Sequence, residues 1–486
     1  MSITFAIDPV TRIEGHLSVE VTVDLVRGQQ QVVAARSAGT MFRGFELMLL
    51  GRDPRDAGPY TQRICGVCPV PHALAACLTL DHAAGVTPPD NGRIVRNLVL
   101  GANFIDSHLL HFYHLSLLDY IDTLNLLDIA PWTPRYRTAD MATGATAATL
   151  KDHYITALAM RRTAHQMGAL FGGKLPCVGS FVMGGCTEAV TVQKVAAFRS
   201  LLTDLRGFIN NTYLPDAATL AGLFPSYYQL GRGYGNLLAF GVFDLNASGT
   251  SKLLGPGRYT DGAAGVVDPA QIAEQVAYSW YTPASGNLNP AQGVTVPDAD
   301  KPNAYSWSKA PRYAGKPHEL GPLARLWVNG QYTHGISALD RLMARAQETK
   351  KIADAMNGWL DQLVPGAPTY TPSTLPAQTS AAGLTEAPRG ALGHWLDISN
   401  SVISRYQVVT PTAWNASPKD DAQQLGPLEE ALIGVPVLDV NQPVEVLRVV
   451  HSFDPCLACA VHAIRPGETS TLRRERSNRP AREDQP

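Results

Sequence analysis

A chain of 486 residues, 45% hydrophobic and 17% charged, is long enough for a large buried core, and length alone would suggest about two to four domains. A formal net charge of −2 and a pI near 6.7 leave no basic footprint for nucleic acid. No apolar run reaches the roughly eighteen residues of a membrane span, and seven cysteines in so long a chain do not form a disulfide framework.

The first segment, MSITFAIDPVTRIEGH, lacks the basic and apolar regions of a secretory signal. Work outside the cytoplasm would therefore require a partner that carries the folded chain there. In His16–Asp24, Leu17, Val19, Val21 and Val23 alternate with polar residues, and the run QVVAARSAG gives the hairpin return. A small antiparallel sheet is expected over about residues 1–40. Glu14 precedes it, where an acid is ordinarily solvated.

Met41–Ala57, MFRGFELMLLGRDPRDA, predicts a helix ending at Gly51 and then a charged turn. Glu46 sits among Phe45, Leu47, Met48 and Leu49, which argues for metal ligation or for a salt bridge to Arg43 or Arg52. Next comes RICGVCPVPH, Arg63–His72, with a Cys-x-x-Cys pair at Cys65 and Cys68. Gly66 permits a tight turn, and Pro69 and Pro71 are expected to hold off the following helix until His72.

Asp90 is expected to cap a helix in which Ile94, Leu98, Ile105, Leu109 and Phe112 recur at helical spacing, ending near Leu127. Further helices are predicted over Ala145–Phe171, Thr187–Tyr213 and Ser337–Leu363, the last opened by Ser337 and Asp340. Four long helices so far apart suit a central bundle, over about 90–225 and 337–364. His108, His111 and His114 lie on the first of them, as a metal site or simply lining the core. Gly172–Glu188 is a glycine-rich connection that fits neither phosphate-loop spacing. About 231–335 reads as short strands and long loops packed on the bundle, and Val364–Gly383 as an extended surface loop. The fold class is thus α+β, mainly α, with a loop-rich β or irregular insertion.

EAPRGALGHW, Glu386–Trp395, carries Arg389, which in a generic protein would form a surface salt bridge. After Pro443 the apolar run VEVLRVV leads into DPCLACAVH, Asp454–His462, with a second pair at Cys456 and Cys459. Residues 463–486 are polar and charged, and disorder is expected there. Cys77, Cys177 and Cys186 read as small buried hydrophobes, too few and scattered to hold an iron–sulfur cluster.

Thiolates select zinc, nickel, copper(I) or iron over calcium or magnesium. A structural zinc site joins pairs about ten to twenty residues apart, whereas almost the whole chain separates these two. That separation favours a reaction centre over a staple. The two cysteine segments resemble the signatures of the large, catalytic subunit of nickel–iron hydrogenases. DPVTRIEGH (Asp8–His16), Met41–Ala57 and Glu386–Trp395 agree in the right order, so the resemblance covers essentially the full chain.

The resemblance implies reversible heterolytic cleavage of H2 to protons and electrons at a nickel–iron centre with carbonyl and cyanide ligands on the iron. Cys65 and Cys456 would be terminal nickel ligands, and Cys68 and Cys459 would bridge to iron. It makes Glu14 the proton-transfer acid, and sets Arg389, next to Asp454, over the open metal position with Pro388 beside it. His72 would bond a thiolate, and Thr412 an iron-bound cyanide. Glu46, the carbonyl near Val408 and His462 would hold Mg2+. Many relatives have Asp where Ser107 stands and His where Cys177 stands. The partners implied are an iron–sulfur small subunit, nickel-insertion factors, an endopeptidase that cuts after His462, and a membrane cytochrome reached through the small subunit. A compact catalytic unit over 1–462 would remain. The rival readings are a redox-inert structural zinc protein and a scaffold like the hydrogenase-related subunit of respiratory complex I, whose members lack the cysteine pairs.

Overall fold

The computed structural model describes residues 2–122 and 136–460. His462, the 463–486 extension and the helix end expected near Leu127 lie outside them. The N-terminal sheet forms from β1 (Ile3–Ile7), β2 (Leu17–Val26) and β3 (Gln29–Gly39), antiparallel in that order. Leu17, Val19, Val21 and Val23 are all buried and their neighbours half-buried, so the two-residue period turns one face onto the core.

Several local expectations give way to tertiary partners. The helix expected over Met41–Gly51 shrinks to Phe45–Met48. Gly51 N–H donates to Ile403 O and Ile403 N–H to Arg52 O, so pairing with a distant strand replaces further helical bonds. Neither Pro69 nor Pro71 delays the next helix, and α1 runs from Pro69 to Ala84. A first-turn proline lacks only an N–H that would have no intrahelical partner. Asp90 is not the cap of α2 (Asp90–Leu109); Pro89 holds that place and Asp90 pairs with Arg93 one turn on, at 2.9 Å. A π-helical segment, Leu110–Ser116, continues α2.

The long helices α3 (Gly144–Gly172), α4 (Val192–Phe208) and α5 (Ala338–Gln362) follow. α4 starts later than Thr187 because Thr191 accepts the Lys194 N–H and sets the boundary. Ser337 caps α5 in the same way, accepting from Asp340 N–H at 3.1 Å. α2 packs on α3 and α5, and α4 on the same two. Leu98, Phe104, Met167, Phe198 and Met356 fill the space among them. Between Leu237 and Tyr313 the strands are only three or four residues long.

The chain then makes a meander of β4 (Thr379–Ala387), β5 (Gly390–Ser399) and β6 (Val402–Val409). The last residues of the expected surface loop, Thr379–Gly383, thus belong to a sheet that α1 covers. At Gly383 a Cβ would stand 2.3 Å from Ala75 O, so only glycine lets the helix lie this close. Finally α6 (Val444–Ser452) leads to the second cysteine pair. No helix among the described residues is long and apolar enough to cross a membrane.

Candidate metal centre

The two ends of the chain meet through backbone pairing. Glu14 N–H donates to Pro455 O at 3.3 Å and Leu457 N–H to Glu14 O at 2.8 Å. Gly15, at φ 83°, is in such close contact that a Cβ there would lie 2.2 Å from Ala458 N. Gly15→Ala is therefore expected to cost about 1–3 kcal/mol by overpacking, seen as an earlier midpoint in chemical denaturation.

Four sulfurs converge on this junction. Cys65 Sγ is 3.3 Å from Cys456 Sγ, Cys68 Sγ is 3.4 Å from Cys459 Sγ, and Cys456 and Cys459 are 3.0 Å apart. All four ligand atoms lie within 4.8 Å of one another, and all four residues are buried. Val67 and Cys68 N–H groups donate to Cys65 Sγ at 3.2 and 3.1 Å, so the loop opened by Gly66 wraps its own sulfur. Cys456 N–H donates to Thr412 Oγ1 at 3.0 Å, tying the second pair to the short helix Pro411–Asn415 that follows β6. Cys77 and Cys186 are buried elsewhere and Cys177 is half-buried; none joins the four.

Polar groups crowd the sulfurs. Cys456 donates to Glu14 Oε2 at 3.0 Å, and Gly66 N–H reaches Glu14 Oε1 at 3.4 Å. Burial, and then the charge on Cys65, raise the Glu14 carboxyl above its ordinary value. Arg389 is buried, not a surface residue: Nε donates to Asp454 O at 2.9 Å and Nη2 to Asp454 Oδ1 at 2.8 Å. Its Nη1 and Asp454 Oδ2 are buried without hydrogen-bond partners, and Oδ2 stands 3.8 Å from Arg345. His72 Nε2 is 3.7 Å from Cys459 Sγ.

A second layer holds Arg389. Arg325 donates to Ala387 O at 3.0 Å and Pro388 O at 2.8 Å while pairing with Glu348 and Glu386. Burial alone would raise Glu348, but Arg325 outweighs it and holds the carboxyl at about 2. None of Arg325, Arg345 and Glu348 was singled out from sequence. The available signal was the placing of Arg345 and Glu348 on the apolar stripe of α5, where unpaired charge is costly.

Glu46 has neither of the arginine partners suggested for it. Arg43 turns to Ala458 O at 2.6 Å and Arg52 Nε to Met48 O at 2.7 Å. The Glu46 carboxylate instead accepts from Val408 N–H at 2.9 Å and from Thr295 Oγ1. Burial pushes it up to about 7, with Lys309 opposing. The three histidines, one at the end of α2 and two in the π-helical stretch, separate: His108 bonds Glu348 at 2.9 Å, His111 bonds His451 O at 2.6 Å and His114 bonds Tyr154 O at 3.2 Å. They form no metal site. Asp106 pairs with Arg161 and His165, and Ser107 is buried beside it.

Burial disfavours ionising any of the four thiols. Even so, Cys65 is held well below the ordinary thiol range, because Cys456, Cys459 and Cys68 point to it and Arg389 is close; Cys456 and Cys459 are pushed well above it. Four soft donors converging beside a buried guanidinium with one unpartnered nitrogen fit a soft or borderline metal, whose charge would let more of them ionise.

The fold and site define a protein with four buried cysteines, brought together from its two ends, that could hold a metal ion. Comparison with known sequences makes this specific: the family described as nickel-dependent hydrogenase matches residues 43–143 and 127–462, and one described as HoxL-like matches residues 4–36. The chain belongs to the nickel-dependent hydrogenase family, as a large subunit. It is 44% identical to the periplasmic [NiFeSe] hydrogenase large subunit of Desulfomicrobium baculatum, over 95% of each chain. It is 32% identical to the hydrogenase-1 large chain of Escherichia coli (strain K12), over 94% of each. The solved Ni-Fe-Se hydrogenase of D. vulgaris Hildenborough in the reduced state superposes with a TM-score of 0.91 at 43% identity, covering 95% of this chain and 100% of that one. Selenium appears in the names of two of these three relatives, while this chain has cysteine at all four converging positions.

Proposed function

We propose that this chain activates dihydrogen reversibly, with Cys65, Cys68, Cys456 and Cys459 holding a nickel–iron centre and an iron–sulfur small subunit exchanging the electrons. The observation that carries this reading is the convergence of four buried sulfurs from opposite ends of the chain. When bound, such a centre, with carbonyl and cyanide on its iron, supplies a Lewis-acidic and redox-active site for heterolytic splitting of dihydrogen. Cys65 and Cys456 would serve nickel alone, and Cys68 and Cys459 would serve nickel and iron alike.

Glu14 receives the proton at Cys456 Sγ, its hydrogen-bond partner at 3.0 Å. Burial raises this carboxyl above its ordinary value, which eases its taking a proton and handing it on, as a general acid–base must. Arg389 presents its unpartnered Nη1 above the sulfurs, with Asp454 fixing the plane of the guanidinium. That rigid charge orients dihydrogen and diatomic ligands, with Pro388 and Thr412 completing the wall. His72 donates to Cys459. Glu46, the carbonyl near Val408 and His462 would hold Mg2+.

One apolar core links the N-terminal sheet, the long helices and α6, which supports reading residues 1–462 as a single catalytic unit around a central bundle. Residues 463–486 are a maturation extension, removed by an endopeptidase after nickel-insertion factors have acted. The periplasmic relative supports export together with the small subunit and contact with a membrane cytochrome. Both cysteine pairs are intact, which disfavours the scaffold reading.

Glu14→Gln is the test of the proton route. It keeps the shape and one acceptor oxygen in place of two, but cannot accept the proton. H2 oxidation in the purified heterodimer should fall about 10²–10⁴-fold with nickel content unchanged; unchanged turnover would remove Glu14 from the mechanism.

A further inference from the structure

Behind Cys459, His72 is the first of a line of side chains whose other members, His394 and Tyr406, the chemistry above does not use. His72 Nε2 is 3.7 Å from Cys459 Sγ. Its other nitrogen, Nδ1, is 3.2 Å from His394 Nε2, and His394 Nδ1 is 2.8 Å from Tyr406 Oη. His72 and Tyr406 are 1% exposed and His394 is 0% exposed, so bulk water is no competitor for these bonds. His72 belongs to α1, His394 to β5 and Tyr406 to β6. Adjacent strands fix the distance between the last two, and the helix lies on the sheet at the Gly383 contact. The line therefore joins three rigid elements.

A neutral imidazole has one donor nitrogen and one acceptor, so each member of such a line dictates the next. Only two orders satisfy all the bonds. In one, Tyr406 O–H donates to His394 Nδ1, His394 Nε2–H to His72 Nδ1, and His72 Nε2–H to sulfur. In the other every donor is reversed, which requires Cys459 to keep its proton. A metal-bound sulfur is a thiolate and can only accept, which selects the first order.

We propose that His394 and Tyr406 are positioning residues of the centre: with His72 they form a one-way hydrogen-bond relay that fixes an N–H on the Cys459 sulfur and so sets its electron donation to the metals. The proposal rests on the nickel–iron reading above. A hydrogen bond to a thiolate withdraws density from it and favours the more reduced state of the metal, as outer contacts of metal ligands commonly do. Tyr406→Phe keeps the ring and removes the donor to His394 Nδ1, so the line loses the end that backs the order set by the thiolate and the N–H on sulfur weakens.

In the heterodimer carrying Tyr406→Phe, nickel content should match the parent, and the nickel midpoint potential followed by EPR should move lower. The expected size is about a tenfold change in the one-electron equilibrium, or about 59 mV. Neutron diffraction from crystals of the perdeuterated parent heterodimer reads the relay without any substitution and so decides the matter even if the variant does not fold. Deuterons are expected on Tyr406 Oη, His394 Nε2 and His72 Nε2. A deuteron on His72 Nδ1, or an unchanged potential with nickel retained, overturns the relay. Parent protein lacking nickel would instead overturn the nickel–iron reading.

Discussion

Cys456→Ser should give a folded protein without nickel and without hydrogenase activity, a loss of at least about three orders of magnitude, as for removal of one member of a catalytic unit. Serine matches the thiol closely enough to keep the bond to Glu14 and the packing of a fully buried position. It fails as a ligand, because its oxygen is hard and remains protonated where a thiolate would form. The same change at Cys177, half-buried and apart from the cluster, should leave nickel content and activity as they are. Metal analysis together with H2-dependent dye reduction on both variants checks the contrast. Full nickel in Cys456→Ser would mean that the four sulfurs are not one ligand set.

Arg389→Lys is the second large effect. The guanidinium makes two directed bonds to Asp454, from Nε and Nη2, and these fix the direction of Nη1. An ammonium on a flexible stem preserves the charge but cannot make both bonds while also facing the metals. Turnover should fall about 10²–10³-fold, the usual effect of losing one preorganised donor at a developing charge. Nickel content should stay at the parental level, since Arg389 touches no sulfur through a bond. Equal loss of nickel and activity would point instead to a role in assembling the site.

What could be read from sequence was the chemistry that depends on residue type. The paired cysteines named the donor set, and their spacing argued for a centre closed between distant segments. The two-residue period of Leu17 to Val23 and the helical spacing of the long segments were equally legible, because a large apolar face must be buried wherever it lies. Features set by tertiary partners were not legible. The helix at Phe45 stops because Gly51 pairs with Ile403, more than three hundred residues away. Arg325, Glu348 and Glu386 look like ordinary charges in sequence, yet fold into a buried network that holds Ala387 and Pro388. His394 sat inside a quoted motif, but nothing local showed that it would face His72. Of the two readings open for the histidines at 108, 111 and 114, the structure fits the core lining, since equal spacing in sequence does not give them a common partner.

The central claim is that the four sulfurs hold nickel and iron together. It is tested most directly by elemental analysis of the chain purified anaerobically with its small subunit, after the iron of the small subunit's clusters has been subtracted. One nickel and one iron per large chain are predicted, both lost in Cys456→Ser. One zinc per chain with no nickel would contradict the account and favour a redox-inert site.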